Sequence, residues 1–78
     1  MRRIMKVFML IKTEIGSEHN VLQKLRKIKE IEESHMIYSE YDIIIGFTVQ
    51  NREEIYKLRN EKIRKIPGIH QTMTLPCF

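Results

Sequence analysis

Two periods of hydrophobicity alternate along this chain, and their order restricts the fold more than any other feature of the sequence. The segment from Ile4 to Lys12 is rich in apolar and β-branched residues, as is typical of a strand. From Ser17, which can cap a helix, to about Ile28, apolar residues recur at the spacing of an amphipathic helix. The pattern then returns to strands, so the chain switches between both kinds of element.

The remaining segments continue this alternation. A tight turn near Glu40 separates two strands, and Asn51 with Glu54 forms a capping-box-like pair that begins a second helix. Pro67 and Gly68 end that helix. The predicted segments are strand Ile31 to Ser39, strand Asp42 to Val49, a helix from Asn51 to about Lys65 and strand Ile69 to about Leu75.

This order predicts one α+β domain over residues 1–78 with the ferredoxin-like βαββαβ topology. Right-handed crossovers produce a four-stranded antiparallel sheet with both helices on one face. The first and third strands are central in this topology. They are also the most continuously apolar segments, at Val7 to Ile11 and Ile43 to Phe47, so the local pattern agrees with the topology.

Both central strands are apolar on two faces, although two helices can cover only one. In the first strand Met5, Val7, Met9 and Ile11 point one way, while Ile4, Phe8 and Leu10 point the other. The third strand adds Ile44 to the second face. A large exposed apolar face usually marks an interface. We therefore expect a homodimer, which also supports a chain too short to bury a large core.

The composition excludes other means of stabilising a short chain, and it excludes several classes of protein. Cys77 is the one cysteine, which rules out a disulfide within the chain, and His19, His35 and His70 are too dispersed for a structural metal site. No apolar run approaches the ~20 residues that cross a bilayer. A basic start at Met1-Arg2-Arg3 resembles a signal peptide, but Lys6 interrupts the apolar stretch. We expect a cytoplasmic protein without metal, cofactor or membrane partner.

The net charge of +4 does not by itself indicate nucleic-acid binding. Basic residues alternate with acidic ones, and Glu53 with Lys57 and Glu61 with Lys65 have the spacing that supports a helix. This pattern predicts solvated helix surfaces, and we expect no direct contact with nucleic acid.

Three short motifs follow one another along the chain: Ser39-Glu40-Tyr41-Asp42-Ile43-Ile44, then Ile66-Pro67-Gly68-Ile69, then Thr72-Met73-Thr74-Leu75. With them the chain resembles, over essentially all 78 residues, the effector domain of the Lrp/AsnC regulators, also called the RAM domain. Ser39 replaces the glycine usual in the family's turn, and these 78 residues do not include the family's N-terminal helix-turn-helix. The chain therefore resembles a stand-alone effector module.

The resemblance implies a dimer packed through its sheets, often assembled further into a ring, and an amino-acid-like effector held near contacts between dimers. By position, the implied ligand-binding residues are Ser39, Glu40, Tyr41, Asp42, Thr72 and Thr74. Asp42 can accept a hydrogen bond from a ligand ammonium or fix its own turn. The two threonines share one face of the last strand, but threonine is also a common strand residue. A DNA-binding relative is a further implied partner.

Alternatives from other classes remain open at this point. The same topology occurs in small dimeric α+β barrel enzymes, in RRM-like nucleic-acid binders and in ACT domains. An assembly-only subunit of a regulator is another alternative. We expect no enzyme, because no Ser or Cys has a His partner at recognisable spacing. An RRM would need exposed aromatics such as Phe8 and Phe47 on its central strands.

Overall fold

A computed structural model describes residues 4–78, so the predicted features at Met1-Arg2-Arg3 lie outside the described residues. The order of elements is the predicted one. A short π-helical turn follows the second helix. The elements are β1 (Met5–Thr13), α1 (Glu18–Arg26), β2 (Ile31–Met36), β3 (Ile43–Val49), α2 (Arg52–Leu58), the π-helical turn (Arg59–Ile63) and β4 (Ile69–Pro76).

The four strands form one antiparallel sheet in the order β2-β3-β1-β4. The two most apolar strands, β1 and β3, are therefore central, which confirms the ferredoxin-like βαββαβ prediction. Val7 pairs with Phe47, and Ile11 pairs with Ile43. The pairing of edge strand β2 is irregular between Ile31 and Glu33, as in a β-bulge.

One face of the sheet packs against both helices and contains the core. Alternate residues of β1 and β3 are buried there because successive side chains of a strand point to opposite faces. The predicted division of β1 and β3 between two faces agrees with this burial. The buried hydrophobic residues are Val7, Met9, Ile11, Val21, Leu22, Leu25, Ile43, Ile45, Phe47, Val49, Ile55, Leu58, Ile63 and Ile66.

Several predicted boundaries were too long. Helix α1 ends at Arg26, where bonds from Ile28 N to Leu25 O (3.0 Å) and from Lys27 N to Lys24 O (3.2 Å) tighten the last turn. Strand β2 ends at Met36, because the chain then enters a loop closed by a 2.9 Å bond from Ile37 N to Asp42 O. These corrections shorten elements without changing their order.

The two predicted N-cap residues differ in whether their side chains make a capping hydrogen bond. Ser17 occupies the N-cap of α1, but its side chain makes no capping hydrogen bond. At α2, Asn51 Oδ1 accepts from Glu54 N at 3.0 Å, as predicted. The Glu54 carboxylate accepts from Gln50 N at 2.8 Å, one residue before the position expected of a capping box. The start of α2 is therefore fixed by two side-chain contacts.

The π-helical turn corrects the prediction of one α-helix to Lys65. Core residues Leu58 and Ile63 are five positions apart, whereas an α-helix brings residues three or four apart onto one face. The wider turn, closed by a bond from Arg64 N to Arg59 O (2.7 Å), lets Ile63 enter the core. Lys62 is consequently exposed, whereas a regular helix would direct it toward the core.

Two glycines with positive φ provide a matched test of packing. Gly16 has φ of 86° and Gly68 has φ of 97°. A Cβ at Gly16 would meet nothing within 4 Å, whereas one at Gly68 would lie 2.9 Å from Ser17 Cβ and 3.2 Å from Val21 Cγ2. We expect Gly16→Ala to cost roughly 1–2 kcal/mol from the left-handed backbone alone.

Gly68→Ala should cost at least about 1 kcal/mol more, because the clash adds to the same backbone penalty. Urea unfolding of both variants measures the difference. If both variants lose the same free energy of unfolding, the contact between the Gly68 turn and the start of α1 is loose.

Candidate functional site

The face of the sheet opposite the helices carries a contiguous apolar surface, which we call the open face. Phe8 pairs with Leu75, and Leu10 lies between Met73 on β4 and Ile44 on β3. Residues directly opposite one another in antiparallel strands share a face, so these five side chains form one patch. Met73 and Leu75 remain 43% and 39% exposed. This single chain leaves the patch facing water.

One end of the open face is polar and ion-paired. Lys6 Nζ lies 2.9 Å from Glu32 Oε1 and 3.1 Å from Glu33 Oε2. Hydrogen bonds to Glu32 and then Glu33 raise the pKa of Lys6, and Lys6 in turn lowers the pKa of both glutamates. Thr48 Oγ1 donates to Glu32 at 3.0 Å. The side chain of Glu33 lies over Gly46, where a Cβ would meet its Cγ at 2.8 Å.

The turn from Ser39 to Asp42 lies at the opposite end of β3 from this cluster and is held by its own contacts. Asp42 Oδ2 accepts from Thr13 N at 2.9 Å and from Thr13 Oγ1 at 3.1 Å. Ser39 Oγ accepts from Tyr41 N at 3.0 Å, and Lys12 Nζ donates to the carbonyl of Glu40 at 2.7 Å. Asp42 thus joins the turn to the end of β1, a contact that sequence reasoning missed.

Ser39 does not strain the backbone of this turn. In residues 4–78, glycine alone has positive φ. The serine therefore needs none of glycine's conformational freedom, and its hydroxyl supplies a hydrogen bond instead.

Thr72 and Thr74 share one face, as predicted, but that face is the helix side of the sheet. They pair with Ile11 and Met9, whose side chains lie in the core. Strand β1 separates them from the turn that precedes β3, so the two parts of the predicted site lie about 10 Å apart, or two strand spacings. One chain does not bring the predicted site residues into a single pocket.

A cleft that sequence reasoning missed lies between α2, the π-helical turn and the end of β3. Its volume is about 460 Å³. Its apolar lining residues are Val49 and Leu58, which we call the floor, and the fully buried Phe47; Thr48 lines it as well. Charged side chains surround this floor: Glu30, Glu54, Lys57, Glu61 and Lys62. The five-residue spacing from Leu58 to Ile63 was the available sequence signal, because it requires the turn that positions Glu61 and Lys62.

Within residues 4–78, no helix is long and apolar enough to cross a membrane. The same residues contain no group of three or more His, Cys, Asp or Glu side chains that could hold a metal ion.

Comparisons with known proteins agree with this architecture. The family model for the Lrp/AsnC ligand binding domain matches residues 6–78. An uncharacterised HTH-type transcriptional regulator of Pyrococcus furiosus is 34% identical over 74 residues, which cover 91% of this chain and 49% of the regulator. The chain spans about half the length of the curated relatives it matches.

Solved structures show the same likeness. The crystal structure of FFRP-DM1 has 32% identity and a TM-score of 0.87, covering 95% of this chain and 99% of that chain. A transcriptional regulator from Neisseria meningitidis, in complex with L-Met, has a TM-score of 0.84 over 95% of this chain and 49% of that chain. Its identity is 9%, so this second likeness concerns the fold alone.

Proposed function

Because this chain belongs to the family of Lrp/AsnC ligand-binding domains, whose model matches residues 6–78, we propose that it is a regulatory effector module that assembles with its own copies and binds an amino acid. The open face carries the proposal. Its apolar side chains lie together on a side of the sheet that no helix of residues 4–78 covers. A second copy docked face to face would bury this patch, and such a pairing is isologous.

The ligand is proposed to bind where the Ser39 to Asp42 turn meets another subunit. Asp42 Oδ2 already accepts two hydrogen bonds, which leaves Oδ1 to accept from an ammonium group. Tyr41 adds an apolar wall with a polar tip. Glu40 offers a second acceptor. Thr72 and Thr74 of the neighbouring subunit would supply hydroxyls for a carboxylate.

Placement between subunits couples ligand binding to assembly, since each favours the other by the same free energy. Within one chain the turn and the two threonines are about 10 Å apart, which supports a site completed by a neighbour. The methionine bound to the Neisseria meningitidis regulator supports an amino acid as the ligand class. A ring of dimers would provide such contacts.

Asp42→Asn should weaken amino-acid binding at least about tenfold while leaving the melting temperature nearly unchanged. The amide oxygen can still accept from Thr13, but the charge that attracts an ammonium is gone. Calorimetry of the intact protein against the twenty amino acids measures the affinity. Asp42→Ala should additionally destabilise the fold by about 1–3 kcal/mol, because it leaves the donors of Thr13 unpaired.

Glu53→Gln is the matched control, because Glu53 is exposed on α2, outside the turn, and its loss of charge should leave the affinity unchanged. If an amino acid binds Asp42→Asn as tightly as the wild-type protein, the turn is not its site. If none of the twenty binds, the chain is an assembly-only subunit. The observation that favours an assembly-only function is that Thr13 already donates hydrogen bonds to Asp42 Oδ2.

Other classes receive no support from the described residues. A barrel-type enzyme needs a polar cavity between helices and sheet, but Thr13 is the one buried polar residue among residues 4–78. An RRM-like surface needs exposed aromatics on both central strands, yet Phe47 faces the helices and is fully buried. We propose a non-catalytic, cytoplasmic module that influences transcription through a DNA-binding relative. Any retention of this chain on DNA should disappear at modest salt.

A further inference from the structure

The cleft beside the π-helical turn provides a second place for a small molecule, separate from the Ser39 to Asp42 turn. The cleft contacts β3 at Phe47 to Val49, whereas the turn precedes Ile43. At the rise of a strand, the two places are roughly 20 Å apart. The floor residues Val49 and Leu58 belong to the core on the helix side of the sheet, so a dimer formed through the apolar patch would leave their side of the cleft accessible. Thr48, which also lines the cleft, belongs to the polar end of the open face.

The π-helical turn determines which charges surround the cleft. By admitting Ile63 to the core, it brings Glu61 and Lys62 to the rim. Lys62 Nζ lies 2.5 Å from Glu30 Oε2 and lowers the pKa of that carboxyl. This ion pair joins the turn to the loop before β2 and forms one wall. Such π-turns occur frequently at functional sites.

Opposite charges on the rim are left for a ligand. Among residues 4–78, the ion pairs use neither the ammonium of Lys57 nor the carboxylate of Glu61. Glu54 uses one carboxylate oxygen, Oε2, to accept from Gln50 N. A simple anion would face three glutamates and a simple cation two lysines, so the rim favours a molecule that carries both signs.

We propose that this cleft binds an amino acid with an apolar side chain. Its carboxylate would contact Lys57, its ammonium would contact Glu61, and its side chain would lie on Val49 and Leu58. A volume of about 460 Å³ lies within the usual range of small-molecule sites. The inference rests on the proposed function for the class of ligand and adds a second site for it.

Calorimetry with L-leucine on the intact protein tests this inference. Lys57→Gln and Glu61→Gln should each weaken leucine binding about tenfold or more, because each removes a charge-assisted contact. Lys65→Gln and Glu53→Gln are matched controls, since both residues are exposed and lie outside the cleft. Isocaproate, which lacks the ammonium, and isoamylamine, which lacks the carboxylate, should bind far more weakly than leucine.

The outcomes separate the two sites. Leucine binding that is lost in the cleft variants but kept in Asp42→Asn supports this inference and contradicts the turn site. Loss in Asp42→Asn alone overturns this inference and leaves the proposed function intact. Equal binding of leucine and isocaproate, or no leucine binding at all, also overturns it. Two binding events, each removed by one set of variants, would support both sites.

Discussion

Replacing Leu10 by glutamate is expected to convert the assembled protein into monomers. Leu10 lies at the centre of the open face, between Ile44 and Met73 on the two neighbouring strands. A carboxylate buried there without a partner costs several kcal/mol, so the dissociation constant should rise at least about 100-fold. Light scattering at micromolar concentration should give at least twice the monomer mass for the wild-type protein and the monomer mass for the variant.

Gln23→Glu is the control, because it adds the same charge at an exposed position of α1. It should leave the mass unchanged. Leu10 is only partly buried in one chain, so the variant monomer should still fold, and circular dichroism checks this. A wild-type protein that is already monomeric contradicts the assembly proposal. If the Leu10→Glu protein remains assembled, the interface lies on another surface.

Deleting Asn60 should change stability by no more than about 1 kcal/mol, although deletions inside helices are usually severe. The deletion removes the extra residue of the π-helical turn and places Leu58 and Ile63 four positions apart. A regular α-helix would then keep both side chains in the core. Asn60 itself is exposed and accepts one bond from Arg59. Chemical unfolding measures the change.

Deleting Lys57 is the matched control. It removes one exposed residue between Ile55 and Leu58, so these two core side chains can no longer share a face. Losing one of them from the core should cost about 2–5 kcal/mol. If both deletions are equally damaging, the π-helical turn is not a means of absorbing one additional residue.

The strands and their faces could be predicted because hydrophobic alternation is a local signal. Val7, Met9 and Ile11 on β1 alternate with Phe8 and Leu10, and the structure keeps that division. The position of β1 and β3 at the centre followed from topology rules. The π-helical turn was missed because a regular helix from Asn51 to Lys65 places Lys62 near the apolar stripe, where the long alkyl stem of a lysine is tolerated. The five-residue spacing from Leu58 to Ile63 does not fit one face of a regular α-helix and is the signal for the wider turn.

The candidate site was less accessible to sequence reasoning, for two reasons. The bond between Thr13 and Asp42 joins residues 29 positions apart, and no periodicity reports such a contact. The charges of the cleft belong to acid and base pairs that also support a solvated helix, so Lys57 and Glu61 carried no separate signal. The face chosen by Thr72 and Thr74 depended on the pairing register, which their own sequence does not specify.

The irregular pairing of β2 between Ile31 and Glu33 bears on how growth of the proposed assembly would be limited. An unpaired sheet edge can recruit strands indefinitely, because each added strand presents another edge. A bulge in the pairing of β2 with β3 bends this edge strand, and Pro76 lacks an N–H at the end of the other edge strand. Polymerisation through the edges is thereby discouraged, whereas face-to-face pairing about a two-fold axis closes after two copies. The fold thus favours a closed oligomer of defined size over a fibre.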